Sequence, residues 1–253
     1  MAQMSTGEFD EESDVSYETS MSSITGLEKA WSFANRWWLA DPLKAAEGFA
    51  QVVGVMEARG GYHSVSHIER MVDRYGQWCN VVVREPDARL LAWIFAHDLV
   101  YTPGAPNNEE ESANRMESLL QEMGASRRIL RDDRLAIEST KTHEQVAKEE
   151  LEEPTLSEAI QLLHDLDLEI LGSSRGEYEE YGAAVYAEYF SVSDDPLSFH
   201  QRWLEGRSAF LKAMLGREVI FKTPLFSMFD AHARDNMRDE LEKILDEMGK
   251  TGG

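Results

Sequence analysis

The chain has 253 residues and sets 47 Asp and Glu against 25 Lys and Arg, for a formal net charge of -22. With 42% apolar residues, six Trp, eight Tyr and ten Phe, it can bury a sizeable core, which excludes bulk disorder. So acidic a surface repels a nucleic-acid polymer or an anionic membrane, yet its carboxylates are ligands that hard cations accept.

Residues 1–26 carry six acids (Glu8, Asp10, Glu11, Glu12, Asp14, Glu18), no base and many Ser and Thr, so a disordered acidic tail is expected there. The start shows neither the basic end nor the apolar stretch of a secretory signal. No apolar run approaches the roughly 20 residues of a membrane span, so no membrane partner is expected. A single cysteine, Cys79, excludes an intramolecular disulfide framework and a Cys-rich zinc site, and reads as a buried thiol. The expected compartment is the reducing cytoplasm.

From Leu27 onward the periodicity is helical, and residues 27–249 are expected to form one all-α domain, a helical bundle. Asp41-Pro42 starts a helix, with Pro at the first helical position. Helices are expected over 64–79 and 85–101, the second opened by Glu85-Pro86. Its middle, Leu90 to Ala96, is apolar almost all round and marks a central, buried helix. Thr102 to Asn108, with two prolines and a glycine, is a loop. Further helices are expected over 109–123, 131–148, 155–171, 176–190, 197–215 and 230–248. Trp37 and Trp38 read as core residues.

Four of the seven histidines lie in or beside recognisable patterns. Tyr62-His63-Ser-Val-Ser-His67 puts two imidazoles four residues apart, on one helix face. His97-Asp98 closes the apolar helix, where unpaired burial would cost several kcal/mol. A metal ion is the partner that uses a neutral imidazole and a carboxylate together. In Leu163-His164-Asp165-Leu166-Asp167-Leu168, Asp167 has Leu163, Ile170 and Leu171 as helical neighbours, whereas Asp165 faces a more mixed, more solvated side. Asp167 is therefore the expected ligand, and Asp165 the reserve.

His67, His97-Asp98 and Asp167 together spell H…HD…D, which resembles the HD superfamily of metal-dependent phosphohydrolases, and more narrowly its predicted metal-dependent HD phosphohydrolase family. That family's Tyr-His-Asn-x-x-His-Ile is matched by Tyr62 to Ile68, with Ser64 in place of Asn, and its Phe-His-Asp-x-Val-Tyr by Phe95 to Tyr101, with one extra residue before His97. Its Asp-Asn-Glu-Glu-x-Ser-Ala resembles Asn107 to Ala113, its Thr-Lys-x-His element Thr140 to His143, and its Asp-Ala-Asp-Leu Asp165 to Leu168. Gly-Arg-x-x-Phe-Leu and Ile-Phe-x-Thr elements follow at Gly206 to Leu211 and Ile220 to Thr223, so the resemblance covers Trp31 to Leu245.

The resemblance implies an enzyme in which His67, His97, Asp98 and Asp167 hold one divalent cation, of Mn, Fe, Co, Ni, Zn or Mg. The substrate is expected to be a small phosphorylated molecule, with nucleotides foremost. His63 is either a general acid, as in the similar opening of the cyclic-nucleotide phosphodiesterase site, or a capping histidine. Lys141 and His143 offer a cation and an imidazole to a phosphate, and Glu109 or Glu110 either orients water or favours a helix start. Arg207 either completes the anion pocket or pairs with the acidic surface; His164 reads as structural, and His200 and His232 as surface. Two other readings stand beside hydrolysis. One is a dinuclear-iron oxygenase using His143 and His164 as further ligands, and the other a non-catalytic ligand- or protein-binding module on the HD scaffold.

Overall fold

A helix that is apolar on every side has to be wrapped, and the fold is built around one. The computed structural model describes residues 26–251, so the expected acidic tail lies, apart from Gly26, outside the described residues. These residues form ten α-helices, four short 3₁₀ turns and no strand: the protein is all-α. At the centre is α4 (Ala88–Ala96), in which every residue from Arg89 to Ala96 is buried. Around it pack α1 (Leu27–Trp38), α3 (Val65–Val82), α5 (Asn108–Glu122), α6 (Arg131–Ser139) and α7 (Ser157–Leu168). Trp31 of α1 meets Phe95 edge-on, with ring centroids 5.1 Å apart, so the extra residue after Phe95 turns that ring into the core. Between α1 and α3 runs α2 (Pro42–Glu57), capped by the Asp41 carboxylate, which accepts from the backbone N–H of Leu43 and Lys44.

A second layer consists of α8 (Arg175–Ser191), α9 (Pro196–Leu215) and α10 (Asp230–Thr251). They pack on one another and on the 3₁₀ turn Glu169–Gly172 that ends α7. Among the described residues no helix is long and apolar enough to cross a membrane.

Several helices differ from the spacing-based expectation, two of them by many residues. The central one opens at Ala88 rather than beside Pro86, because the Asp87 carboxylate accepts from Arg89 N–H at 2.8 Å and caps it there. It stops at Ala96 rather than Tyr101. There the His97 ring donates from Nδ1 to the Ile94 carbonyl at 2.9 Å, and the Arg59 guanidinium takes the carbonyls of Asp98 and Leu99. The helix expected over 131–148 ends at Ser139: the carbonyls of Thr142 and His143 are engaged by Arg217 and Lys222, and His143 sits at φ 51. The last helix runs on to Thr251.

Candidate metal centre and its cavity

α3 brings His67 to the C-terminal end of α4, where His97 and Asp98 turn out of the helix, and α7 supplies Asp167 from a third side. His67 Nε2 lies 3.3 Å from His97 Nε2, 3.1 Å from Asp167 Oδ1 and 3.9 Å from Asp98 Oδ2. His97 Nε2 lies 3.3 Å from Asp98 Oδ2 and 3.8 Å from Asp167 Oδ1. Bonds of about 2.0–2.2 Å to a transition metal would set neighbouring ligand atoms roughly 3.0–3.5 Å apart, and these spacings are close to that. His67, His97 and Asp98 alone satisfy a three-ligand grouping, and Asp167 joins through both imidazoles.

The donor chemistry agrees with the spacing. With Nδ1–H donated to Ile94, neutral His97 presents a bare lone pair at Nε2. His67 Nδ1 is buried without a hydrogen-bond partner, the cost of aiming Nε2 inward. No Lys or Arg among the described residues is paired with the carboxylate of Asp98 or Asp167. Burial lowers the His97 pKa, but the charges of Asp98 and Asp167 outweigh it and push the ring up to about 9. Burial would raise both carboxylates, yet His97 holds Asp98 well below the usual range and bonds from His143 and His67 do the same for Asp167.

Asp167 is thus the aspartate in the site, although the burial reasoning behind that choice fails. Asp165, expected on the more solvated face, is 0% exposed. It is fully occupied elsewhere, accepting from Lys222 N–H at 2.8 Å and from the N–H and hydroxyl of Thr223, each at 2.6 Å. Asp167 is the more exposed of the two, as a group facing a cavity must be.

That cavity, of about 620 Å³, opens on Asp98 and Asp167 and is lined by His63, Glu109, Lys141 and His143. His143 Nε2–H donates to Asp167 Oδ2 at 2.7 Å, and the Lys141 ammonium to the Pro106 carbonyl. Burial raises the Glu109 carboxyl above its ordinary value. Glu110, its expected alternate, does not line the cavity; one step along α5 carries it to the exposed side. Arg207 is paired with an acid, bound through Nε and Nη2 to Glu240 at 2.8 and 3.0 Å, and it also lines the cavity.

His164 is structural. It is wholly buried, its Nδ1 accepting from Lys222 Nζ at 2.7 Å and its Nε2 on Ser139 Oγ at 2.8 Å, so neither nitrogen is left for a second metal. His200, bonded to Glu247, and His232 are exposed.

Several site residues escaped the sequence. Glu188 of α8 is buried and accepts twice from His63, at 2.7 Å from its backbone N–H and 2.8 Å from Nδ1. Tyr101 stacks on the same imidazole, with centroids 3.9 Å apart. Tyr181, Trp203 and Phe210 complete the aromatic wall. Nothing local marks Glu188, which stands 125 residues from its partner. Comparison with known proteins matches no family, no curated protein and no solved structure.

Proposed function

We propose that this chain is a metal-dependent phosphohydrolase of the HD type, acting on a small phosphate ester such as a nucleotide. The observation that carries the reading is the convergence of His67 Nε2, His97 Nε2 and the carboxylates of Asp98 and Asp167, with no Lys or Arg among the described residues paired to those carboxylates. These four residues would hold a divalent cation, which when bound neutralises phosphate charge and acidifies water. The ordered resemblance from Tyr62 to Thr223 supports the same assignment.

The chain's own residues divide the remaining work. Lys141 and His143, on the cavity rim, orient the phosphate. Glu109, its carboxyl raised by burial, orients the attacking water and takes its proton as the oxygen bonds to phosphorus. His63 Nε2–H serves the other side: the bond from phosphorus to the leaving oxygen breaks, and that oxygen's electron pair takes the proton. A cavity of about 620 Å³ suits a small molecule. The net charge of -22 makes an anionic polymer the wrong substrate.

The test is a screen of nucleotides and sugar phosphates with protein reconstituted separately with Mn, Fe(II), Co, Ni, Zn and Mg, using Asp98→Ala as the blank. Phosphate release by the wild type alone is expected. No metal uptake together with no release would end the reading.

A further inference from the structure

Glu188 is a buried acid that does not line the cavity, and nothing in the proposed chemistry requires it. Its contacts are nevertheless specific. One carboxylate oxygen accepts the His63 backbone N–H at 2.7 Å, the other accepts Nδ1–H of the same residue at 2.8 Å, and the Tyr101 hydroxyl lies 3.5 Å from that second oxygen. Both atoms of a single residue are thereby fixed, the main chain and the ring. With Nδ1 bound and Tyr101 stacked on one face, the ring's open nitrogen is Nε2. The approach is enforced from the other side by Gly61. At φ +90 it adopts a conformation that L side chains avoid, and a Cβ there would lie 2.2 Å from Glu188 Cγ.

We propose that Glu188 is the positioning residue of His63: it holds a proton on Nδ1 throughout, so that the imidazolium gives its second proton, from Nε2, to the leaving oxygen and is left as the neutral Nδ1–H ring with Nε2 bare. The role rests on the hydrolytic reading, but the clamp can be tested apart from it. A carboxylate alone suits the arrangement, because it accepts at both oxygens. Glutamine keeps the shape and offers one acceptor, leaving an N–H facing an N–H.

The experiment compares wild type, Glu188→Gln and Glu188→Asp, as full chains, on an alkyl phosphate and on p-nitrophenyl phosphate. An alkoxide needs a proton as it leaves, whereas nitrophenolate does not. Glu188→Gln is expected to lower kcat on the alkyl ester about 10²-fold, at least about tenfold more than on the nitrophenyl ester, with KM little changed. Glu188→Asp, which keeps two acceptors, should recover part of that loss. Equal losses on both esters would overturn the role, since a structural defect does not sense the leaving group.

In parallel, ¹⁵N NMR of the wild type, with His63→Gln to assign the signal, reads the tautomer directly. A proton on Nδ1 of neutral His63 is expected; Nε2–H in its place would overturn the clamp even if Glu188→Gln failed to fold. If the wild type hydrolyses neither ester, the metal-reconstituted screen decides the hydrolytic reading and the tautomer alone decides the clamp.

Discussion

The two ends of α4 each bury a cluster of charge, and they solve the problem differently. At the N-terminal end Arg89 supplies a cation: Nε meets Asp133 Oδ1 at 2.5 Å and Nη1 meets Glu153 at 2.9 Å, while the guanidinium lies over Trp37. Trp93 Nε1–H and Leu130 N–H take further places on Asp133, each at 2.9 Å. That cluster carries its own cation, although Arg89 Nη2 is buried without a hydrogen-bond partner. At the C-terminal end two carboxylates face three imidazoles, with no guanidinium or ammonium of the described residues paired to them, and the group opens on a cavity. One helix therefore sets two solutions side by side: a charge cluster whose cation is part of the chain, and one for which the proposed function would bring the cation from outside.

The sharpest break between the ends comes from their acids. Asp98→Ala or Asp167→Ala is expected to abolish divalent-metal binding, measured calorimetrically, and to lower phosphate release about 10⁴-fold, near 5.5 kcal/mol of transition-state stabilisation. The fold should survive, because the imidazoles paired with these carboxylates can lose their protons, so that no permanent cation is stranded. At the opposite end the effects exchange. Arg89→Met strands Asp133 in the interior and should cost about 3–5 kcal/mol in urea unfolding, with metal affinity unchanged. Should Asp98→Ala destabilise as much as Arg89→Met, the distinction between the ends is lost.

The two ends were also unequally legible. His67 and His97-Asp98 could be read from spacing, because an i, i+4 pair and a dipeptide at a helix end are local features. Asp167 rather than Asp165 stands beside His67 and His97, but not for the reason of burial that favoured it. A helical wheel sees the neighbours within α7, but the burial of Asp165 comes from Lys222 and Thr223, 57 and 58 residues downstream. The same strand of chain explains why helix-forming residues after Ser139 are not helical: Lys222 and Arg217 occupy carbonyls that a continued helix would need. Glu188, Arg207 and the Arg89 cluster all depend on pairings across long separations, which no local pattern encodes.

A cation that is not part of the chain must also act through mass action. At 100 times its dissociation constant, the preferred divalent metal should stabilise the wild type by about 2.7 kcal/mol, seen as a rise in the thermal midpoint. Arg89→Met should gain the same increment from its lower baseline, and Asp98→Ala none. Stabilisation of the Asp98→Ala protein would place the ion elsewhere.

The smallest effect concerns Cys79, which reports on the N-terminal end. It lies on α3 one turn after Tyr75, whose hydroxyl accepts the Asp87 N–H at 2.7 Å where α4 begins. Burial pushes the thiol up to about 11. At pH 8 only about 10⁻³ of it is thiolate, so a disulfide reagent should label the native protein at least about 10²-fold more slowly than the urea-unfolded chain. Arg89→Met lowers the free energy of opening this end and should accelerate labelling, whereas Asp98→Ala should leave the wild-type rate. Equal acceleration by both substitutions would mean that α4 opens as one unit, and that its two charge clusters are energetically coupled along the helix rather than independent.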